Sequence, residues 1–154
     1  MRYWDGQRRG ANCFNLTVDR QWFDDCRAAG IGMVRLTWSK WKGEGRDFLL
    51  GDADAFEKIP PGDLATLRQV LDDAHAAGVK VVVTPLSLPG LRWRQQNDGR
   101  FDDRLWRDEK YHAQSAAFWR ELASALRDHP AVVGYNLINE PAPARALKVE
   151  LTNR

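Results

Sequence analysis

Glu140 is the side chain around which chemistry gathers in this sequence. It closes the run Ala131-Val132-Val133-Gly134-Tyr135-Asn136-Leu137-Ile138-Asn139-Glu140-Pro141, and a carboxyl group so placed can give or take a proton. Asn139 beside it carries both a donor and an acceptor. Arg35, within Met33-Val34-Arg35-Leu36-Thr37-Trp38, adds a permanent cation. Seven tryptophans in 154 residues are the compositional oddity. Trp38, Trp41, Trp93 and Trp106 follow strand-like runs and offer flat faces on which a ligand can stack. The three histidines and 21 acidic residues show no metal-ligand spacing, so neither a metal nor a cofactor is expected.

Each group also has a plainer use. Asn-Glu-Pro alone is a strand end with a polar cap and a turn. Arg35 can serve a structural ion pair, with Glu140 itself as one partner. The loop tryptophans can anchor their loops, while Trp22 and Trp119 lie on helix stripes and belong to a core. His75 and His112 read as surface or packing residues, and His129 as part of a turn.

The elements that position these groups follow from periodicity. Val132 to Ile138 is almost continuously apolar and β-branched, the pattern of a strand buried on both faces of a parallel sheet, and Pro141 ends it. Similar runs predict strands near 10–16, 33–38 and 79–84. Between them lie three helical patterns. Thr17 or Asp19 caps the first, with Trp22, Phe23, Cys26 and Ala29 on one stripe and Gly30 as its stop. Pro60-Pro61-Gly62-Asp63 opens the second, with Leu64, Leu67, Leu71 and Ala74 inward and Gly78 closing it. The third runs from about Glu109 to Arg127, with Phe118, Trp119, Leu122 and Leu126 inward. Ala28-Ala29-Gly30-Ile31 is echoed by Ala76-Ala77-Gly78-Val79, which marks a repeated helix stop leading into a strand.

Repeated units of this kind make a parallel sheet with right-handed crossovers. The long loops, 39–59 and 85–108, both follow strands, and the turns after helices are short. That asymmetry belongs to a (β/α) barrel or a doubly wound sheet. No Gly-x-Gly-x-x-Gly or Walker loop follows a strand, and Asn15-Leu16-Thr17-Val18 offers little to cradle a phosphate, so a nucleotide fold or a flavodoxin-like domain ranks last.

The length suits one domain, residues 1–154. A net charge of +2 gives no reason to expect a nucleic acid or a membrane as partner. No run is long enough to span a bilayer, and Met1-Arg2-Tyr3-Trp4-Asp5-Gly6 is no signal peptide, which leaves localisation open. Cys13 and Cys26 fall on apolar positions and read as buried free thiols.

Taken together, Arg35, Pro89-Gly90 and Asn139-Glu140-Pro141 resemble glycoside hydrolase family 5, the cellulase family, over residues 9–143. Asp128 to Pro141 looks like that family's fourth strand, Val34-Arg35-Leu36 like its second, and Arg9-Gly10-Ala11-Asn12 like its first. The resemblance implies a partial TIM barrel of about four β/α units, acting on an oligo- or polysaccharide with β-linkages. It implies Glu140 as general acid/base, with Asn139, Arg35, Trp38, Trp41 and Trp93 in substrate binding or orientation. Where much of the family ends its third strand with a histidine, this chain has Thr84-Pro85-Leu86-Ser87.

A full barrel takes roughly 250 residues, and the family's seventh-strand nucleophile has no counterpart here. Three outcomes are open: the front half of a longer enzyme, a barrel closed by a second copy, or a carbohydrate-binding half barrel without turnover. Such a half barrel leaves two open edges and an open inner face, on or near which Val81, Val83 and Val133 are expected to lie.

Overall fold

The structure is a computed structural model and describes residues 3–148. Four parallel strands form one sheet in the order β1 (Gly10–Cys13), β2 (Met33–Leu36), β3 (Lys80–Val83) and β4 (Val132–Tyr135). The intervening helices are α1 (Arg20–Ala28), α2 (Pro61–Ala76) and α3 (Glu109–Leu126), with a short α4 (Pro143–Leu147) after the last strand. Sheet order follows chain order, as successive right-handed crossovers require. The described chain is a partial α/β barrel.

Local chemistry accounts for the helix ends. The Asp19 carboxylate accepts from the Trp22 N–H at 3.0 Å and starts α1, Pro61 takes the first position of α2, and Asp108 accepts from Lys110 at the start of α3. Gly30 and Gly78, at φ +77° and +72°, close α1 and α2 in the same way. Gly30 N–H donates to Arg27 O and Ile31 N–H to Cys26 O; Gly78 N–H donates to His75 O and Val79 N–H to Ala74 O. The paired bonds form a Schellman stop, which explains the echo in the sequence.

Two rows of side chains leave opposite faces of the sheet. Cys13, Leu36, Val83 and Tyr135 are paired across the strands and face the helices. With Val34 and Val81 they meet Phe23, Leu67, Leu71, Phe118 and Leu122 in the core. Asn12, Arg35, Val82 and Gly134 form the neighbouring row on the inner face. The expectation that Val81 and Val83 sit on the open inner face is therefore corrected: both are fully buried under the helices. Side chains alternate along a strand, and Val79, which is also fully buried, sets their parity.

The strands are shorter than the apolar runs that mark them. β4 stops at Tyr135, the last ladder bond being Asn136 N–H to Val83 O at 2.9 Å, and Leu137 beyond it is exposed. β4 is an edge of this sheet, so among the described residues no strand on its far side extends the ladder. Between Val81 and Val82 the register shifts by one residue, leaving Val133 as the extra residue of a bulge. Its carbonyl accepts from Trp4 Nε1 at 3.2 Å, and the Trp4 ring lies beside Gly134. The 3-10 turn Tyr3–Asp5, ahead of β1, thus covers part of the inner face through Trp4.

The two long loops are tied together by charge. Arg92 reaches from the 85–108 loop to the buried Asp47 of the 39–59 loop, with Nε and Nη2 at 3.0 and 2.8 Å from Oδ1. Arg104 bonds Asp54 across the same gap at 2.5 Å and Asp102 on its own loop at 2.8 Å. Arg46 completes the network through Asp47, Asp52 and Asp54. Gly90 is the third tie. Its N–H donates to Ala53 O, its carbonyl accepts from Leu105 N–H, and its α-carbon lies against the Tyr111 ring of α3.

Candidate functional site

The inner-face row places a polar cluster at the carboxyl end of the strands. Arg35 leaves β2 with Nη1 at 3.1 Å from Asn12 Oδ1 on β1, and its Nη2 donates to Asn139 Oδ1 beyond β4. Asn136, with its amide oxygen toward the guanidinium, accepts from Nη2 at 3.3 Å and donates to Ile138 O at 2.9 Å. Arg35 thus crosses β3 above Val82 and links the first strand to the segment that carries Glu140. Among the described ion pairs none joins Arg35 to Glu140, the plainer alternative for this arginine; its partners are neutral amides. Asn12 and Asn136 were not singled out in the sequence. Parity is the signal for Asn12, which pairs with Arg35 across the strands; Asn136 reaches the same face only because the bulge at Val133 reverses the alternation of β4.

Glu140 stands at φ +46°, in the left-handed region that costs a side chain about 1–2 kcal/mol. Pro141 constrains the same residue from the other side by disfavouring the right-handed helical region before it. The carboxylate is exposed and borders a cavity of about 630 Å³. Asn139, Pro141 and Ala142 line the same side. Opposite them, the 85–108 loop contributes Leu86, Trp93, Phe101 and Trp106, and α4 contributes Arg145. Among the described lining residues Glu140 is the one carboxylate.

Hydrogen bonds shape this loop wall. Ser87 Oγ accepts from the Trp93 N–H at 2.9 Å and lies 2.8 Å from Gln96 Oε1. Gln96 Nε2 in turn donates to Ser39 O at 2.6 Å. The Asp102 carboxylate accepts from Arg92 N–H and from Arg104. Burial alone would raise its pKa, but those bonds hold it below the usual carboxylate range.

The four candidate tryptophans separate into two pairs. Trp93 and Trp106 line the cavity. Trp38 does not present a face to a ligand: it is 4% exposed, with its ring 6.3 Å from that of Phe48. Parity explains this correction, since Trp38 is two and four residues beyond the buried Leu36 and Val34. Trp41 is half-buried, edge-on to Phe48, and its Nε1 donates to Asn15 O at 3.1 Å, so it is not among the cavity residues. Trp22 and Trp119 pack against the core. His129 bonds Asp72 and the Ala131 N–H, a turn-forming role, and His112 bonds Leu105 O. Among the described residues no group of three or more His, Cys, Asp or Glu is placed to hold a metal ion, and no helix is long and apolar enough to cross a membrane.

Residues 6–151 match the family described as Cellulase (glycosyl hydrolase family 5), almost the whole chain. The chain belongs to glycoside hydrolase family 5. No curated protein matches it in sequence. Solved structures carry the same fold. An endoglucanase of Pseudomonas stutzeri superposes with a TM-score of 0.61 at 20% identity, covering 87% of this chain and 41% of the other. The same enzyme in complex with cellobiose gives 0.60 at 21%, covering 90% and 36%. A β-mannanase from the blue mussel Mytilus edulis gives 0.59 at 14%, covering 87% and 41%. The family 5 chain described here therefore spans about two fifths of the length of these structures. At these identities the likeness is one of fold.

Proposed function

We propose that this family 5 chain forms the first half of a glycosidase barrel acting on β-linked glycans, with Glu140 as its general acid/base. The observation that carries the reading is the cavity in which Glu140 and Asn139 face Trp93, Phe101 and Trp106. Cleavage of a glycosidic bond requires a carboxylic acid to protonate the leaving oxygen, and aromatic faces suit the apolar faces of sugar rings. Asn139 is assigned the sugar 2-hydroxyl. Arg35, held between Asn12 and Asn139, positions Asn139 and so acts through it. Trp93 is the stacking residue; the assignments of Trp38 and Trp41 to the substrate are withdrawn on their burial and packing.

Retention requires a second carboxylate about 5 Å from the first. The described cavity lining supplies none, so the nucleophile comes from outside the described residues, from further sequence or from a second copy. That same observation favours a second reading, a carbohydrate-binding half barrel without turnover. One experiment separates them. The purified chain and its Glu140→Gln variant are assayed on β-linked aryl glycosides and β-glucans, and binding to the same glycans is measured. Turnover lost in the variant supports the enzyme. Binding by both proteins with turnover by neither supports the binder, and a chain that neither binds nor cleaves refutes the glycan reading. Light scattering on the same samples tests closure by a second copy, which a monomer would rule out.

A further inference from the structure

The lining of the Glu140 cavity carries more positive charge than a neutral glycan needs. Three arginines border it: Arg92, Arg94 and Arg145. Arg92 is neutralised by Asp47 and also bonds Asn97 Oδ1 at 3.2 Å. Among the described hydrogen bonds the Arg94 side chain makes one, from Nε to Gly99 O at 3.0 Å. The Arg145 guanidinium carbon lies over the Phe101 ring, 4.6 Å from its centroid, a cation–π contact that holds the charge at the cavity without neutralising it. Neither Arg94 nor Arg145 meets a carboxylate among the described ion pairs. Their neighbours do: Arg46 meets Asp47, Asp52 and Asp54, Arg104 meets Asp54 and Asp102, and Arg107 meets Asp103. Two guanidinium groups from separate elements, the 85–108 loop and α4, thus border one cavity in which Glu140 is the one carboxylate among the described lining residues.

We propose that this cavity selects a β-linked glycan bearing an anionic group, the carboxylate of a uronosyl unit, bound by Arg94 and Arg145. The inference rests on the reading of the cavity as a glycan site. Guanidinium groups match a carboxylate with paired, charge-assisted hydrogen bonds, whereas a neutral sugar leaves both charges to water. Trp93 supplies a face on which a ring of the same ligand lies.

The test is titration of the chain, by calorimetry in about 50 mM salt, with three probes. These are a neutral xylo-oligosaccharide, the same oligosaccharide bearing a glucuronic acid branch, and a sulfated cello-oligosaccharide. The branched acid is expected to bind roughly fivefold tighter than its neutral counterpart, the size that two partly exposed charge contacts provide. That ratio should fall toward one in the Arg94→Gln/Arg145→Gln double variant and in about 0.5 M salt. It should persist in Arg120→Gln, an exposed α3 arginine that does not line the cavity. Equal affinity for neutral and acidic probes overturns the inference and leaves the glycan reading standing. A preference for the sulfated probe over the uronosyl one overturns the carboxylate assignment, and binding of no probe overturns both.

Discussion

Substitution of Gly90 by alanine is expected to be among the most damaging small changes available to this chain. A β-carbon at Gly90 would lie 2.4 Å from Tyr111 Cγ and 2.8 Å from both Cδ atoms. The ring cannot simply step aside, because Tyr111 is 3% exposed and its hydroxyl is bonded by Arg104 at 2.9 Å. Gly90 also stands at φ +71°. The backbone part costs about 1–2 kcal/mol and the overpacking a further 1–3 kcal/mol or so, which makes a loss of roughly 2–5 kcal/mol. For a chain of this size that corresponds to a fall in Tm on the order of 10 °C. Gly99 is the internal control: its φ is +74° and no atom lies within 4 Å of a β-carbon there, so Gly99→Ala should cost only the backbone part. Urea unfolding followed by tryptophan fluorescence measures both. Gly90→Ala introduced into a Tyr111→Ala background should approach the Gly99→Ala cost, since the cycle removes the clash alone. Equal losses for Gly90→Ala and Gly99→Ala in the native background would refute the packing argument.

Asp47→Asn should cost about 3 kcal/mol in the same urea assay, because it leaves the nearly buried Arg92 without its counter-charge. Acid should loosen the loops before the sheet. The Asp54 carboxyl is held below its usual range by its bond from Arg46 and then that from Arg104, and Asp102 is lowered as described. A depressed carboxylate stabilises the fold fully above its unfolded pKa of about 3.9, and the contribution is lost as pH falls through the lower folded value. Stability should therefore decline below about pH 4, and Asp102→Asn should flatten that decline in a series of unfolding curves. Cys13 and Cys26 are buried and free, and burial pushes both thiols above their ordinary pKa. A thiol reagent at neutral pH should label neither at an appreciable rate in the native chain and both after unfolding.

Much of the frame was legible because its signals are local. Asp19, Pro61, Gly30 and Gly78 act within a turn of their own position, so each helix boundary can be read from neighbours in sequence. Val34, Leu36, Val81 and Val83 follow a period of two, and attention to that parity would also have placed Trp38 on the buried face and Asn12 beside Arg35, whereas Asn136 reaches Arg35 only through the bulge that reverses the parity of β4. What sequence order hides is lateral. Nothing near Asp47 announces that Arg92 will arrive 45 residues later, and nothing near Val133 announces a bulge or the Trp4 indole that takes its carbonyl. Arg94 and Arg145 read as ordinary solvated charges until the fold sets both against one cavity.

The bond between Asp47 and Arg92 has a consequence for how such a barrel can diversify. Loops at the carboxyl ends of barrel strands are usually regarded as independently variable parts, each free to lengthen or shorten over a constant frame. Here the loops after β2 and β3 share a desolvated charge pair, so altering either one strands the charge of the other. Inheritance should then treat the two as a single cassette: viable change arrives in both together, or begins with replacement of the pair by uncharged residues.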